Sequence, residues 1–417
     1  MYLTYQIVFA IFLLIASPYL LIRAVFGSHG LKERLGFWKH KGDDNQTVWF
    51  HAASMGELKV IDSVLPELMK IKPDLRVVIS TVTKTGKAKA VKSFAPIEIY
   101  YMPLDLRCCI NRAINKVKPS LLILIETEIW PILISQAKVG NARIAIINGR
   151  ISLKSFKFYR LFKTLFKSVM KNVDYVMAQT VGDLERFSAL GTDNNKMADY
   201  GNIKFDQVLN RSPKPLADEL SKFLNDDNKF AFVAGSIWPR EFGPIINAIK
   251  AVGQSHPELI TILAPRHMKH LSQLEEALHL ANISFIRRSR MTDMKPEARV
   301  MILDTMGELS NLYNYANLAF VGGSLVKVGG HDPLEPASAG CPVGFGPNMQ
   351  NARMFADILV ESGGGFYVND EQELTGILQK LIADKALAKE LGRKANLAVL
   401  SHAGVSRRIA EKLAEFL

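Results

Sequence analysis

The sequence predicts an α/β protein built from two doubly wound, Rossmann-like domains, and three observations carry that prediction. Short, β-rich apolar runs alternate with helical stretches at intervals of roughly 20–30 residues, the period of βα units. Each run is apolar on both faces, as a parallel strand covered by helices must be. The 417 residues, 48% hydrophobic and 22% charged, are too many for one ordinary α/β core and supply the material for two.

In chain order, residues 1–22 carry no charged side chain, and Arg23, Lys32, Arg34, Lys39 and Lys41 follow. Such a run is long enough to cross a bilayer of about 30 Å as a helix. The positive charge behind it predicts a single-pass anchor over 1–24, with the bulk of the chain on the cytoplasmic side. A cleaved signal peptide would need a basic start and a small-residue cleavage site, and neither is present. A shallow insertion bent at Pro18 is the remaining reading of the run.

Strands are predicted over 48–53, 76–81, 97–102, 121–126, 143–148 and 174–179, giving a first domain over 33–209. NRSPKP, at Asn210–Pro215, reads as a linker, since its prolines and polar residues suit neither ladder nor helix. A second series, over 230–236, 259–266, 283–288, 299–305, 317–324 and 342–346, gives a second domain over 216–400. A C-terminal helix over 401–417 completes the chain. Two such domains with a cleft between them are the simplest architecture, and ligands belong beyond the carboxyl ends of the strands.

One predicted helix differs from the rest. Over 152–172, Lys154, Lys157, Arg160, Lys163, Lys167 and Lys171 recur every three or four residues as a basic stripe. Phe158, Leu161, Phe162, Leu165, Phe166, Val169 and Met170 make a broad apolar side. That pattern fits a helix lying on an anionic membrane, and equally a surface helix packing on the core. The net charge of +12 and pI near 9.4 imply an anionic partner. A nucleic-acid-binding protein would need a continuous basic patch with interleaved aromatics, whereas the charge here concentrates in one stripe. The cysteines Cys108, Cys109 and Cys341 have neither disulfide-framework nor zinc spacing.

The polar motifs cluster at predicted strand ends. HAASMGE (51–57) follows the first strand and offers Glu57 as a general base, or as a plain first-turn glutamate favoured by the helix dipole. IETEIWP (125–131) brings Glu126 and Glu128 out of an apolar strand, where desolvation makes a functional role the better reading. NGRIS (148–152) and GNIKFD (201–206) follow, the latter offering Lys204. In the second half, LAPRH (263–267) supplies Arg266 and His267, suited to a phosphate. DTMGELSNLY (304–313) turns at Gly307 into a helix start whose Gly307, Glu308 and Leu309 amides could meet an anion. VGGSLVKVGGHDPLEPASAG (321–340) places a glycine-rich loop before Glu335. No Walker A, dinucleotide fingerprint or HExxH motif is present.

Taken in order behind the apolar N-terminus, this array resembles the 3-deoxy-D-manno-octulosonic acid (Kdo) transferases of glycosyltransferase family 30 over nearly the whole chain. DTMGELxxLY, FVGGSLV and GGHxPLEP are the specific part. The resemblance implies a GT-B fold and inverting transfer of Kdo from CMP-Kdo to a lipid A precursor (lipid IVA). It implies no cofactor and no required metal. By the same likeness Glu57 would be the base, and Glu126 and Lys204 would support the transition state. Pro265, Arg266, Met306, Gly307, Glu308 and the stretch Asp332, Pro333, Leu334, Glu335 would hold CMP. Partners would be CMP-Kdo, the lipid A precursor and anionic lipid of the inner membrane, with no nucleic acid. The alternative is a GT-B transferase using another nucleotide sugar on a membrane lipid. The chain departs from the family pattern at Val328 and Asp332 around GGH, at SIWPRE (236–241), at Gly149 and at GPNMQNA (346–352). Acceptor choice and the number of Kdo units added are what those departures touch.

Overall fold

The computed structural model describes residues 5–6, 30–39, 46–211, 215–224, 228–291 and 298–417. Apart from Tyr5 and Gln6, the expected anchor lies outside the described residues, as does the middle of the expected linker. Among the described residues no helix is long and apolar enough to cross a membrane. The chain divides into one unit of Met1–Gln207 with Gly404–Leu417, and a second of Val208–Ala403.

The first unit holds a seven-stranded sheet of β1 (Thr47–His51), β2 (Arg76–Thr81), β3 (Glu98–Tyr101), β4 (Leu121–Ile125), β5 (Arg143–Gly149), β6 (Tyr175–Ala178) and β7 (Met197–Asp199). Their order is β3-β2-β1-β4-β5-β6-β7, and every pairing is parallel. Alternation along each strand feeds two cores. Trp49, Val78, Leu122 and Leu124 pack on one face, and Val48, Phe50, Leu121 and Ile123 on the other. The C-terminal helix Val405–Ala414 returns to this unit and buries Val405, Ile409, Ala410 and Leu413 in the second core, which also holds Leu58, Ile61 and Leu68 of the Met55–Ile71 helix.

The second unit repeats the plan with β8 (Phe230–Ile237), β9 (Leu259–Pro265), β10 (Phe285–Arg287), β11 (Val300–Ile302), β12 (Leu318–Val321), β13 (Val343–Phe345) and β14 (Gly365–Tyr367). The order is β10-β11-β9-β8-β12-β13-β14, again all parallel.

The sequence expectation misses two strands, β7 and β14. Each is a three-residue edge strand beside polar or glycine-rich sequence, too short for periodicity to register. The basic stretch also differs from expectation. It forms two helices, Leu153–Leu161 and Lys163–Met170, because Phe162 at φ −108°, ψ 35° leaves the helical region. Phe166, Val169 and Met170 pack into the core, whereas Leu153, Phe158, Leu161 and Phe162 stay exposed among the lysines.

Candidate active site

In the first sheet, strand order reverses between β1 and β4, the position at which ligands bind in open α/β sheets, beyond the strands' carboxyl ends. HAASMGE leaves β1 and ETE leaves β4. Ser54 caps the helix that follows β1, and the Glu57 carboxylate folds back over the cap and the residue before it. The Ser54 hydroxyl accepts from the Glu57 amide at 3.4 Å and donates to Glu57 Oε1 at 2.8 Å, while the Ala53 amide donates to Oε2 at 2.7 Å. These bonds fix the carboxylate without neutralising it. Burial pushes the Glu57 carboxyl up to about 7, the charges of Glu128 and Glu126 push the same way, and the two hydrogen bonds oppose them. A carboxylate with that proton affinity is poised as a general base near neutral pH.

Glu128 behaves oppositely. Burial raises its proton affinity, but His51 and the indole of Trp130, which donates to Oε2 at 2.8 Å, outweigh burial and hold it below the ordinary range. Glu126 sits at φ 56°, an uncommon conformation for a residue with a side chain. Burial raises its pKa against the pull of the cations Arg150 and Lys204, with Glu128 and Asp183 adding to the rise. Strained backbone of this kind is retained where surroundings over-determine it, and it clusters at functional sites.

The next two loops meet through amides. Asn148, at φ 51° and buried, accepts from the Ile203 amide at 3.3 Å on its side chain and from Gln179 Nε2 at 3.1 Å on its carbonyl. Gln179 in turn accepts from Asn202 Nδ2 at 2.8 Å. This network joins NGRIS to GNIKFD and holds exposed Lys204 near Glu126. Asp206 of the same motif serves the fold: its carboxylate accepts from the amides of Gly404 at 2.7 Å and Ser406 at 2.6 Å, where the C-terminal helix begins.

In the second unit the order reverses between β8 and β12. Ser236, next to last in β8, has φ 57°. Fully buried Glu241 accepts from the amides of Trp238, Gly323, Ser324 and Leu325 at 2.8–3.0 Å, pinning the glycine-rich loop after β12. Gly323, at φ 72°, lies against His331, and a Cβ there would come within 3.1 Å of the ring. Trp238 Nε1 donates to His331 Nε2 at 3.1 Å, and its ring meets His267 edge-on. Burial lowers the pKa of His331, and the nearby Arg266 and His267 lower it further. Sequence reasoning missed Trp238, Glu241 and His331 as one cluster. The available signal was a glutamate set just after a strand end, with a glycine-rich loop to satisfy it.

The donor residues expected from the resemblance fall into separate groups. Gly307 and Glu335 line one cavity of ≈ 590 Å³ with Val208, Arg211, Ser310 and Asn314. Arg211 donates to Glu335 Oε1 at 2.6 Å. Exposed Arg266 follows buried Pro265 at the end of β9, and Met306 is 85% exposed. Glu308 is tied to Thr305 and, at 3.1 Å, to Arg288. The helix after Gly307 is a single turn, Leu309–Leu312, so the expected anion site at its N-terminus has little dipole behind it. Asp332 caps the Leu334 amide at 3.0 Å, Pro333 starts that helix, and the Leu334 side chain is fully buried, leaving it only backbone to offer a ligand.

Residues 29–207 match the family model described as 3-Deoxy-D-manno-octulosonic-acid transferase (kdotransferase). A 3-deoxy-D-manno-octulosonic acid transferase of Haemophilus influenzae is 32% identical over 93% of this chain and 91% of its own length. A bifunctional glycosyltransferase/methyltransferase of Fusobacterium nucleatum is 32% identical over 84% of this chain, which spans 54% of that relative. Among solved structures, a glycosyltransferase of Rickettsia africae superposes with TM-score 0.60 over 90% of this chain and 98% of that one at 14% identity, a likeness of fold. The architecture is α/β and GT-B-like. On identity maintained across nearly all of both chains, the protein belongs to the 3-deoxy-D-manno-octulosonic acid transferase family of glycosyltransferases.

Proposed function

We propose that this chain transfers Kdo from CMP-Kdo to a hydroxyl of a lipid A precursor, lipid IVA, in building the inner core of lipopolysaccharide. One observation carries the mechanism: Glu57 is fixed at the β1 carboxyl end with its proton affinity raised to about 7, beside two further carboxylates. Glu57 takes the proton of the acceptor hydroxyl. The freed oxygen attacks the anomeric carbon of Kdo from the face opposite the phosphate, forming the new C–O bond. The bond from that carbon to the phosphate oxygen breaks, its electron pair leaves with CMP, and the anomeric configuration inverts.

Charge on the departing phosphate is met by cations rather than by a bound metal, with Arg266 and Lys204 the candidates. Glu335 and Gly307 frame the cavity for the nucleotide, and the ribose hydroxyls would take the place of Arg211 on the Glu335 carboxylate. The apolar N-terminal run would hold the enzyme to the inner membrane from the cytoplasmic side. Exposed Leu153, Phe158, Leu161 and Phe162, set among Lys154, Lys157, Arg160 and Lys163, would rest on anionic lipid.

The test is Glu57→Gln, which keeps the shape and removes the base. Transfer should fall by at least about a hundredfold while CMP binding stays within about twofold. Turnover at the wild-type rate would refute the assignment.

A further inference from the structure

A second buried chain of polar groups lies behind the base. His51, the last residue of β1, is fully buried in a strand that is otherwise apolar or small. Its Nδ1 lies 2.8 Å from Ser80 Oγ of β2, and Ser80 Oγ also accepts from Trp49 Nε1 at 2.7 Å. Its Nε2 lies 3.3 Å from Glu128 Oε2, at ion-pair distance but without the alignment of a hydrogen bond, and this buried nitrogen has no hydrogen-bond partner.

Ser80 Oγ receives the indole N–H and, in the tautomer taken here, gives its own proton to Nδ1. Nε2, facing a carboxylate that can only accept, then carries the ring proton. The buried ring thus has the Glu128 carboxylate as the charge nearest its outer nitrogen, at 3.3 Å.

Building on the base assignment above, we propose that Trp49, Ser80 and His51 form a positioning relay for the transfer reaction. His51 holds Glu128 as an oriented anion beside Glu57, and that anion sets how readily Glu57 takes the acceptor's proton. His51 touches neither the acceptor hydroxyl nor the donor, so it is a positioning residue. The electrostatics agree in direction: contact with His51 lowers the pKa of Glu128, and the charge of Glu128 is the largest contribution after burial to the rise at Glu57. Glu128 is also faced by Glu126 and by Tyr159 of the Leu153–Leu161 helix. Arg150, Lys204 and Asp183 surround Glu126, and Asp105 is the charged group facing His51 from beyond β3.

The test follows kcat/KM for lipid IVA against pH in the full-length chain, with CMP-Kdo as donor. In the wild type the acid limb reports the free base. Glu128→Gln keeps both oxygen-side contacts but loses the charge, so the acid limb should move about one unit toward lower pH. Its kcat should fall about tenfold, with KM for CMP-Kdo within about twofold. His51→Leu should reproduce that shift, and His51→Gln, whose amide can replace the Nε2 donor, should restore the wild-type limb. Should the buried histidine variants not fold, Glu128→Gln alone decides. An unmoved limb in Glu128→Gln with wild-type kcat, or a rise confined to KM, overturns the relay. The two readings separate cleanly: the relay alone falls if Glu57→Gln is dead while Glu128→Gln matches the wild type, and the base assignment falls if Glu57→Gln turns over normally.

Discussion

Glu57 does two jobs that compete. Bonded to the Ser54 cap and to the Ala53 amide it anchors the start of a helix, and as a partly buried carboxylate near Glu128 and Glu126 it resists ionisation. With a folded-state pKa of about 7 against an ordinary 4.5, its contribution to stability is fully present below about pH 4.5 and is lost as pH rises through 7. Activity runs the other way, because only the ionised form accepts a proton. The rate should therefore climb through about pH 7, and Glu57→Gln should melt higher than wild type at pH 8 although it is inactive. Thermal melts of the two proteins at pH 5 and pH 8 check the sign: the gap should open only at the higher pH. From sequence, Glu57, Glu126 and Lys204 were visible as polar residues at strand ends. The His51–Ser80–Trp49 chain was not, since its members look like ordinary β-strand residues and only parallel register brings Ser80 opposite His51.

At the scale of elements, strand positions could be read because a buried parallel strand must be apolar on both faces, and β4, LLILI, is wholly so. Helix continuity could not. The basic stripe over 152–172 has unbroken helical spacing, yet Phe162 breaks it, turning Phe166, Val169 and Met170 to the core and leaving a short cationic helix with exposed Leu153, Phe158 and Leu161. Reversing Lys154, Lys157 and Lys163 to glutamate should weaken binding to anionic vesicles at least about tenfold at low salt, a co-sedimentation measurement. Equal binding would remove that surface from the membrane account. The buried Glu241 carboxylate makes a different prediction. Glu241→Leu leaves four loop amides without their acceptor and should lower stability by about 2–5 kcal/mol in denaturant melts.

At the scale of the whole molecule, one architecture occurs twice, and in each unit polar loops leave the two strands where sheet order reverses, HAASMGE and ETE in the first and SIWPRE and VGGS in the second. Motif order identified the family because polar residues at those loops are free of the core's packing demands. It could not reveal that the C-terminal helix returns to the first unit, since that depends on Asp206 meeting amides about two hundred residues away. With Arg266 and Lys204 proposed to meet the phosphate charge, EDTA should leave the rate within about twofold of its starting value; a collapse would reveal a metal requirement. The most direct measurement is mass spectrometry of lipid IVA incubated with the full-length chain and CMP-Kdo, beside the Glu57→Gln variant. Wild-type protein should yield lipid IVA carrying Kdo, and the variant should return the lipid unchanged. Unmodified lipid with folded wild-type protein, or equal Kdo addition by the variant, would contradict a Kdo transferase that uses Glu57 as its base.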